Sequence, residues 1–154
     1  MLSKLTCTRS DTRVMGLLII VSAISIVILG RNLKLLSRTF FNYKNFNITG
    51  WSIVHVIFFF ILGLICSNQF KTAMSIGLAW EMFETSYGYI TNDMLYWTSG
   101  GLINQFGDLL MNFTGYSLAH ILQMTLNNYN IPLNNTYVMV PIIVIVGLYL
   151  LFNK

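Results

Sequence analysis

Two glutamates lie one helical turn apart, at positions 81 and 84, within the otherwise largely apolar segment "GLAWEMFE". Paired carboxylates are suited to acid–base chemistry, and ionisable groups in apolar surroundings mark sites for protons, ions or substrates. An aspartate and an asparagine four residues apart share one face of a later helix, and a histidine lies in an earlier apolar segment. These side chains form the predicted polar cluster: His55, Glu81, Glu84, Asp108 and Asn112.

Carboxylates beside an imidazole are also ligands that divalent metals accept. The sequence contains no Glu-x-x-His or His-x-x-x-His helix signature, so no metal site and no cofactor is predicted. The "FGD" segment at 106–108 is similar to an intramembrane aspartyl protease loop, but the second aspartate of such a protease is missing, because Asp93 lies in a connector without the required helix. His120 is roughly 18 Å along the helix from Asp108 and is interpreted as a packing residue. No catalytic residue is assigned, and the sequence favours a protein that is not an enzyme.

Composition predicts the fold class. The chain has 154 residues, of which 55% are hydrophobic and 9% are charged, whereas a typical globular domain has about a quarter charged residues. We therefore expect a single domain over residues 1–154 with an all-α, polytopic integral membrane fold. About five transmembrane helices are predicted, with four as the alternative, because polar residues weaken two of the apolar segments. The predicted spans are residues 14–30, 51–67, 72–88, 103–126 and 137–152.

The predicted domain has three parts. Residues 14–50 form an N-terminal anchor helix with a basic amphipathic link, residues 51–126 form a three-helix polar core, and residues 127–154 contain the C-terminal span. Basic side chains near the N-terminus favour contact with anionic lipid headgroups, and no nucleic-acid-reading module accompanies them. The link at 31–46 is predicted either as a helix at the membrane surface or as a solvated loop. The two cysteines imply neither a metal site nor a disulfide framework.

A short turn at residues 67–71 predicts that the second and third spans form an antiparallel hairpin. The polar cluster then falls within one layer about 5–10 Å thick, at 1.5 Å per helical residue. Because buried carboxylates need partners, Glu81 and Asp108 are predicted to bond His55 and Asn112. Three glycines are expected to let the helices approach closely: Gly63, Gly77 and Gly115.

Two short motifs resemble the VanZ-like membrane proteins. They are "WEMFE" at 80–84 and "GDLLMNFTGY" at 107–116, and the family pairs a Glu in one helix with Asp-x-x-x-Asn-x-x-Gly in the next. Asp108, Asn112 and Gly115 match the second motif, and the two glutamates match the first. The resemblance implies a membrane role without assigning a chemistry.

The resemblance covers about residues 51–119 and is incomplete. This chain has His55 and Ile-Leu-Gly where the family usually has Asn and Pro-Leu-Gly, which leaves that helix of the motif in doubt. Similar compact proteins occur in large DNA viruses, and the asparagine-rich composition is consistent with such a source.

The function predicted from these observations is structural. The protein is expected to be a small component of a viral or host-cell membrane, with the lipid bilayer and membrane or capsid proteins as partners. The alternative is binding or transport of a proton, an ion or a lipid-linked ligand through the polar cluster. The two predictions differ in water access, because a ligand site must open to one face whereas a structural core should be dry.

Overall fold

The computed structural model describes residues 13, 16–22, 36, 38–43, 46–98 and 101–129. Within these residues a helical segment at 16–22 precedes a β-hairpin and four further helices. The bounds are β1 (Thr39–Tyr43), β2 (Phe46–Thr49), α1 (Gly50–Ile65), α2 (Phe70–Ile90), α3 (Met94–Thr98) and α4 (Leu102–Asn128). The predicted spans at 14–30, apart from residues 16–22, and at 137–152 lie outside the described residues.

The most extensive helix contact in the described fold joins α1 and α4. Its core contains Phe59 and Leu62 of α1 and Tyr116 of α4. Two of the predicted packing glycines lie where the helices cross: a Cβ added at Gly63 would lie 2.7 Å from a side-chain carbon of α4, and one added at Gly115 would overlap the Val56 carbonyl oxygen. The two backbones therefore approach too closely for larger side chains.

Side chains of α4 hold the carboxyl end of α1. The Tyr116 hydroxyl donates a hydrogen bond to the Cys66 carbonyl oxygen and accepts one of 3.0 Å from the Gln69 N–H. The last carbonyls of a helix lack intrahelical donors, and Gln123 Nε2 supplies one to the Leu64 carbonyl at 2.6 Å. We call this arrangement the α1 C-terminal clamp; its residues are Leu64, Cys66, Gln69, Tyr116 and Gln123.

A disulfide lies at the same end of α1. Cys66, the residue that follows the helix, is 1% exposed and is disulfide-bonded. The sequence contains one further cysteine, Cys7, which lies outside the described residues. The interpretation that the cysteines imply no disulfide is therefore wrong.

No helix among the described residues is both long enough and apolar enough to cross a membrane. α1 has 16 residues and spans about 24 Å, which is less than a bilayer core of about 30 Å. α2 and α4 have 21 and 27 residues, but the polar and charged residues along both helices lower their hydropathy. The predictions of a polytopic membrane fold, of transmembrane character and of an integral viral or host-cell membrane location are wrong.

The prediction of an all-α fold is also wrong, because β1 and β2 form an antiparallel pair. Asn42 lies opposite Asn47, and Tyr43 lies opposite Phe46. The sequence "TFFNY" and "FNIT" of the two strands is rich in aromatic and β-branched residues, which favour strands over the predicted surface helix or loop. The Asn47 N–H donates to Asn104 Oδ1 at 3.0 Å, so the hairpin is attached to the start of α4.

The connection from α2 to α4 contains the short helix α3. Asn92 adopts a left-handed conformation, with a φ of 54°, just after α2 ends, as is common at helix C-termini. α3 then folds back on α2, where the ring of Trp97 contacts the ring of Tyr87 edge-on at 4.9 Å between centroids. This packing places Trp97 beside the polar faces of α1, α2 and α4.

Candidate functional site

A cavity lies among the four helices and is bounded by side chains of each. The volume that the centre of a water molecule can occupy inside it is about 20 Å³. Because one water needs about 10–15 Å³ of such volume, the cavity has room for one or two waters or a metal ion. The cavity is partly open to the outside, as a ligand site requires. Its lining residues are Trp51, His55, Glu81, Glu84, Tyr96, Trp97, Thr98, Gln105 and Asp108.

Glu81 is the most unusual group in the cavity. Its side chain is 4% exposed, and neither carboxylate oxygen has a hydrogen-bond partner among the described residues. Burial, followed by the nearby charges of Glu84 and Asp108, raises the pKa of Glu81 to about 9. A buried carboxylate without a partner is unfavourable, so this position requires either a proton or a positively charged ligand.

His55 is held in one orientation by Asn112. Its Nδ1 lies 2.8 Å from Asn112 Oδ1, and because a carbonyl oxygen can only accept, Nδ1 carries the hydrogen and donates it. The lone pair of the neutral ring is then on Nε2. Asn112 is completely buried, so it is a rigid support for the imidazole.

Asp108 is held by the first turn of α1. Ser52 Oγ donates to Asp108 Oδ1 at 3.0 Å, which leaves the second carboxylate oxygen free of that contact. Burial raises the pKa of Asp108, while the neighbouring His55 and the hydrogen bond from Ser52 oppose this shift. The hydrogen bond therefore both orients the carboxylate and stabilises its charged form.

Glu84 lies one turn from Glu81 on α2. Its Oε1 accepts a hydrogen bond of 2.8 Å from Trp80 Nε1. Burial raises the pKa of Glu84 to about 8, the bond from Trp80 opposes that shift, and the charge of Asp108 adds to it. Since the lining residues include no lysine or arginine, the cavity brings three acidic side chains together with no fixed cation to balance their ionised forms.

Three of these groups converge closely enough to hold one metal ion. His55, Glu81 and Asp108 each offer one ligand atom, and these atoms lie within 4.8 Å of one another. Ligands of a tetrahedral ion at about 2.1 Å from the metal are about 3.4 Å apart, so small side-chain rotations would complete the geometry. Imidazole and carboxylate ligands together suit Zn²⁺, Mn²⁺ and Fe²⁺.

Four of the five predicted cluster residues line the cavity, and Asn112 lies directly behind His55. The predicted bonding of the carboxylates is wrong, because Asp108 bonds Ser52 and Glu81 has no partner among the described residues. The third predicted packing glycine, Gly77, faces Asn112, whose Nδ2 would lie 2.7 Å from a Cβ at that position.

The predicted cluster did not include Ser52, which bonds Asp108, or the lining residues Trp51, Tyr96, Trp97, Thr98 and Gln105. Ser52 precedes His55 by three residues, and Gln105 precedes Asp108 by three, so helical spacing would have placed both on the cluster face. Gln105 Nε2 donates to Thr85 Oγ1 and so links α4 to α2. Trp97 lies in a segment predicted to be a connector, and no periodic signal indicates its position.

No protein-family model matches this chain, and comparisons with curated proteins and with solved structures find no similar protein. The resemblance to the VanZ-like proteins therefore stays a prediction from its two motifs.

Proposed function

We propose that the protein binds a divalent metal cation through His55, Glu81 and Asp108. The observation that carries the proposal is the buried Glu81 carboxylate, whose two oxygens have no partner among the described residues and whose side chain lines the cavity. A cation there would compensate that carboxylate and the charge of Asp108 together. The imidazole would supply the third ligand atom.

The surroundings of the three ligands support the same proposal. Ligands of protein-bound metals are usually oriented by further hydrogen bonds. Asn112 holds Nδ1 of His55 and Ser52 holds Oδ1 of Asp108, so each ligand keeps another donor atom, Nε2 or Oδ2, for the ion. The partial opening of the cavity provides a path for entry.

Calorimetric titration of chelator-treated protein with Zn²⁺ and with Mn²⁺ tests the proposal. We expect one ion per chain in the wild type and at least about a tenfold loss of affinity in Glu81→Gln, which keeps the shape of the side chain but removes its charge. Asp93→Asn is the matched control, because it removes the same charge from a residue that does not line the cavity. Equal affinity in Glu81→Gln and the wild type would reject the site.

A structural role for the polar residues is the second candidate function. It is favoured by the α1 C-terminal clamp and by the buried His55–Asn112 bond, which connect α1 to α4. The two functions predict different effects of Glu81→Gln. A structural role predicts a lower melting temperature with no change in metal binding, whereas a ligand site predicts lost binding in a protein that melts at or above the wild-type temperature.

A further inference from the structure

Trp97 presents a second unpartnered polar group beside the cavity. Its side chain is 7% exposed and lines the cavity, and its Nε1 is buried without a hydrogen-bond partner among the described residues. An indole N–H is a donor only. It can bind neither a metal cation nor a proton, so the ion that would compensate Glu81 leaves Trp97 unsatisfied.

The three protein ligands also leave the proposed ion incomplete. Divalent cations take at least four ligands, and sites with three protein ligands keep a position for water or substrate. His55, Glu81 and Asp108 provide one ligand atom each in this arrangement. No fourth ligand atom joins this group from the described residues, so the remaining position is open to an atom of another molecule, and that atom or its neighbour would be an acceptor for Trp97.

The chemistry of the acceptor follows from these two requirements. Water bound to a cation has a lone pair engaged by the metal and acts mainly as a donor, so it is a poor partner for an N–H group. A carbonyl oxygen has two lone pairs, and a carboxylate has two oxygens. Either group can bind the cation on one side and accept from the indole on the other, and the rest of the molecule would extend through the opening of the cavity.

We propose that the cavity binds a small molecule through a carbonyl or carboxylate group, which bridges the metal ion and Trp97 Nε1. This inference rests on the proposed metal site and adds the class of ligand that the site takes. The planar rings of Trp51 and Tyr96 line the same cavity and would contact the apolar part of the molecule. Trp97 is a binding residue in this arrangement, and no covalent step is involved.

Metal titrations with and without acetate or acetamide test the inference. The two probes have the same shape and differ in charge, so they separate a carboxylate ligand from a neutral carbonyl ligand. In carboxylate-free buffer, we expect one of them to raise the affinity for Zn²⁺ at least about fivefold, the lower end of usual coupling between two ligands. Capture of free Zn²⁺ by acetate would act in the opposite direction, so it cannot imitate this result.

Trp97→Phe is the matched variant, since it keeps an aromatic ring and removes the N–H donor. We expect it to lose the enhancement by the probe, measured as the ratio of its Zn²⁺ affinities with and without the probe. Where Trp97→Phe folds poorly, the indole Nε1–H resonance of Trp97 in metal-loaded wild type gives the same test, and it should shift when the probe is added.

The outcomes separate the two proposals. Zn²⁺ binding without enhancement by either probe overturns the ligand inference and leaves the metal site intact, as does equal enhancement in Trp97→Phe and the wild type. An absence of metal binding in every titration overturns the metal site and the ligand inference with it.

Discussion

The α1 C-terminal clamp and the cavity lie at opposite ends of the same pair of helices, α1 and α4. In the clamp, side chains of α4 donate to backbone carbonyls at the end of α1, and the clamp atom left buried without a partner among the described residues, Gln123 Oε1, is a neutral amide oxygen. In the cavity, Glu81 and Trp97 retain polar atoms without partners among the described residues. The difference is that the clamp leaves a neutral amide oxygen unpaired, whereas the cavity leaves an ionisable carboxylate that the proposed cation would compensate.

The largest expected effect comes from the glycine between the two ends. We expect Gly115→Ala to destabilise the protein by about 3 kcal/mol, because the added methyl group meets the Val56 backbone, which cannot rotate away. Gly16→Ala is the control, since a Cβ there has no neighbour within 4 Å, and it should change stability by less than about 1 kcal/mol. Chemical denaturation measures both. Equal effects would show that α1 and α4 do not approach as closely as described.

The next effect concerns the clamp alone. Tyr116→Phe removes a hydroxyl that serves Cys66 and Gln69, and we expect a loss of about 2 kcal/mol because buried groups are left unpaired. Tyr89→Phe, which removes a hydroxyl from a 78% exposed side chain, should have no measurable effect. Metal affinity should be unchanged in both variants. A loss of metal binding in Tyr116→Phe would show that the two ends are not independent.

The pH dependence of stability should report on the cavity. The pKa of Glu81 is about 9 in the folded protein, whereas the ordinary pKa of a glutamate is 4.5, so the folded state binds the proton more tightly. Its contribution is complete below about pH 4.5 and is lost as the pH rises through about 9, with a slope of at most about 1.4 kcal/mol per pH unit. Thermal melts of metal-free protein from pH 6 to 9 should show this decline. Glu81→Gln should make it shallower, and an equally steep decline would exclude Glu81 as its source.

The smallest expected effect on stability concerns the support of a metal ligand. Ser52→Ala removes the donor to Asp108, and we expect a loss of about 1 kcal/mol in stability with a metal affinity lowered about tenfold. Ser86→Ala is the control, because this exposed hydroxyl bonds the Met82 carbonyl oxygen of its own helix. Calorimetry and denaturation of the two variants measure both quantities. Unchanged metal affinity in Ser52→Ala would show that the orientation of Asp108 by Ser52 does not contribute to metal binding.

The sequence predicted the helices and the cluster for physical reasons that can be named. Long apolar runs in the sequence predicted helices near α1, α2 and α4. The short turn before Phe70 predicted an antiparallel hairpin, in which His55 and Glu81 lie at the same height along the two helices. The same apolar runs led to the membrane prediction, which is wrong because the polar faces of α2 and α4 and the length of α1 do not suit a bilayer.

Other features depend on contacts that no local pattern encodes. The three proposed metal ligands come from three helices and are separated by 26 and 27 residues, so no short motif could reveal them. The position of Trp97 depends on the fold of a connector whose composition resembles a loop. The hairpin could have been found, since "TFFNY" and "FNIT" have strand-like composition, but charges nearby favoured a surface helix or loop instead.

The position of Asn112 has a consequence for how mutations combine. One carboxamide accepts from His55 through Oδ1 and lies against Gly77 through Nδ2, so α1 and α2 both act on the same group of α4. Substitutions that act through a shared partner are not additive. A double-mutant cycle that pairs Gly77→Ala with His55→Gln should therefore give a coupling energy of at least about 0.5 kcal/mol, although the two residues lie on different helices and 22 positions apart in the sequence.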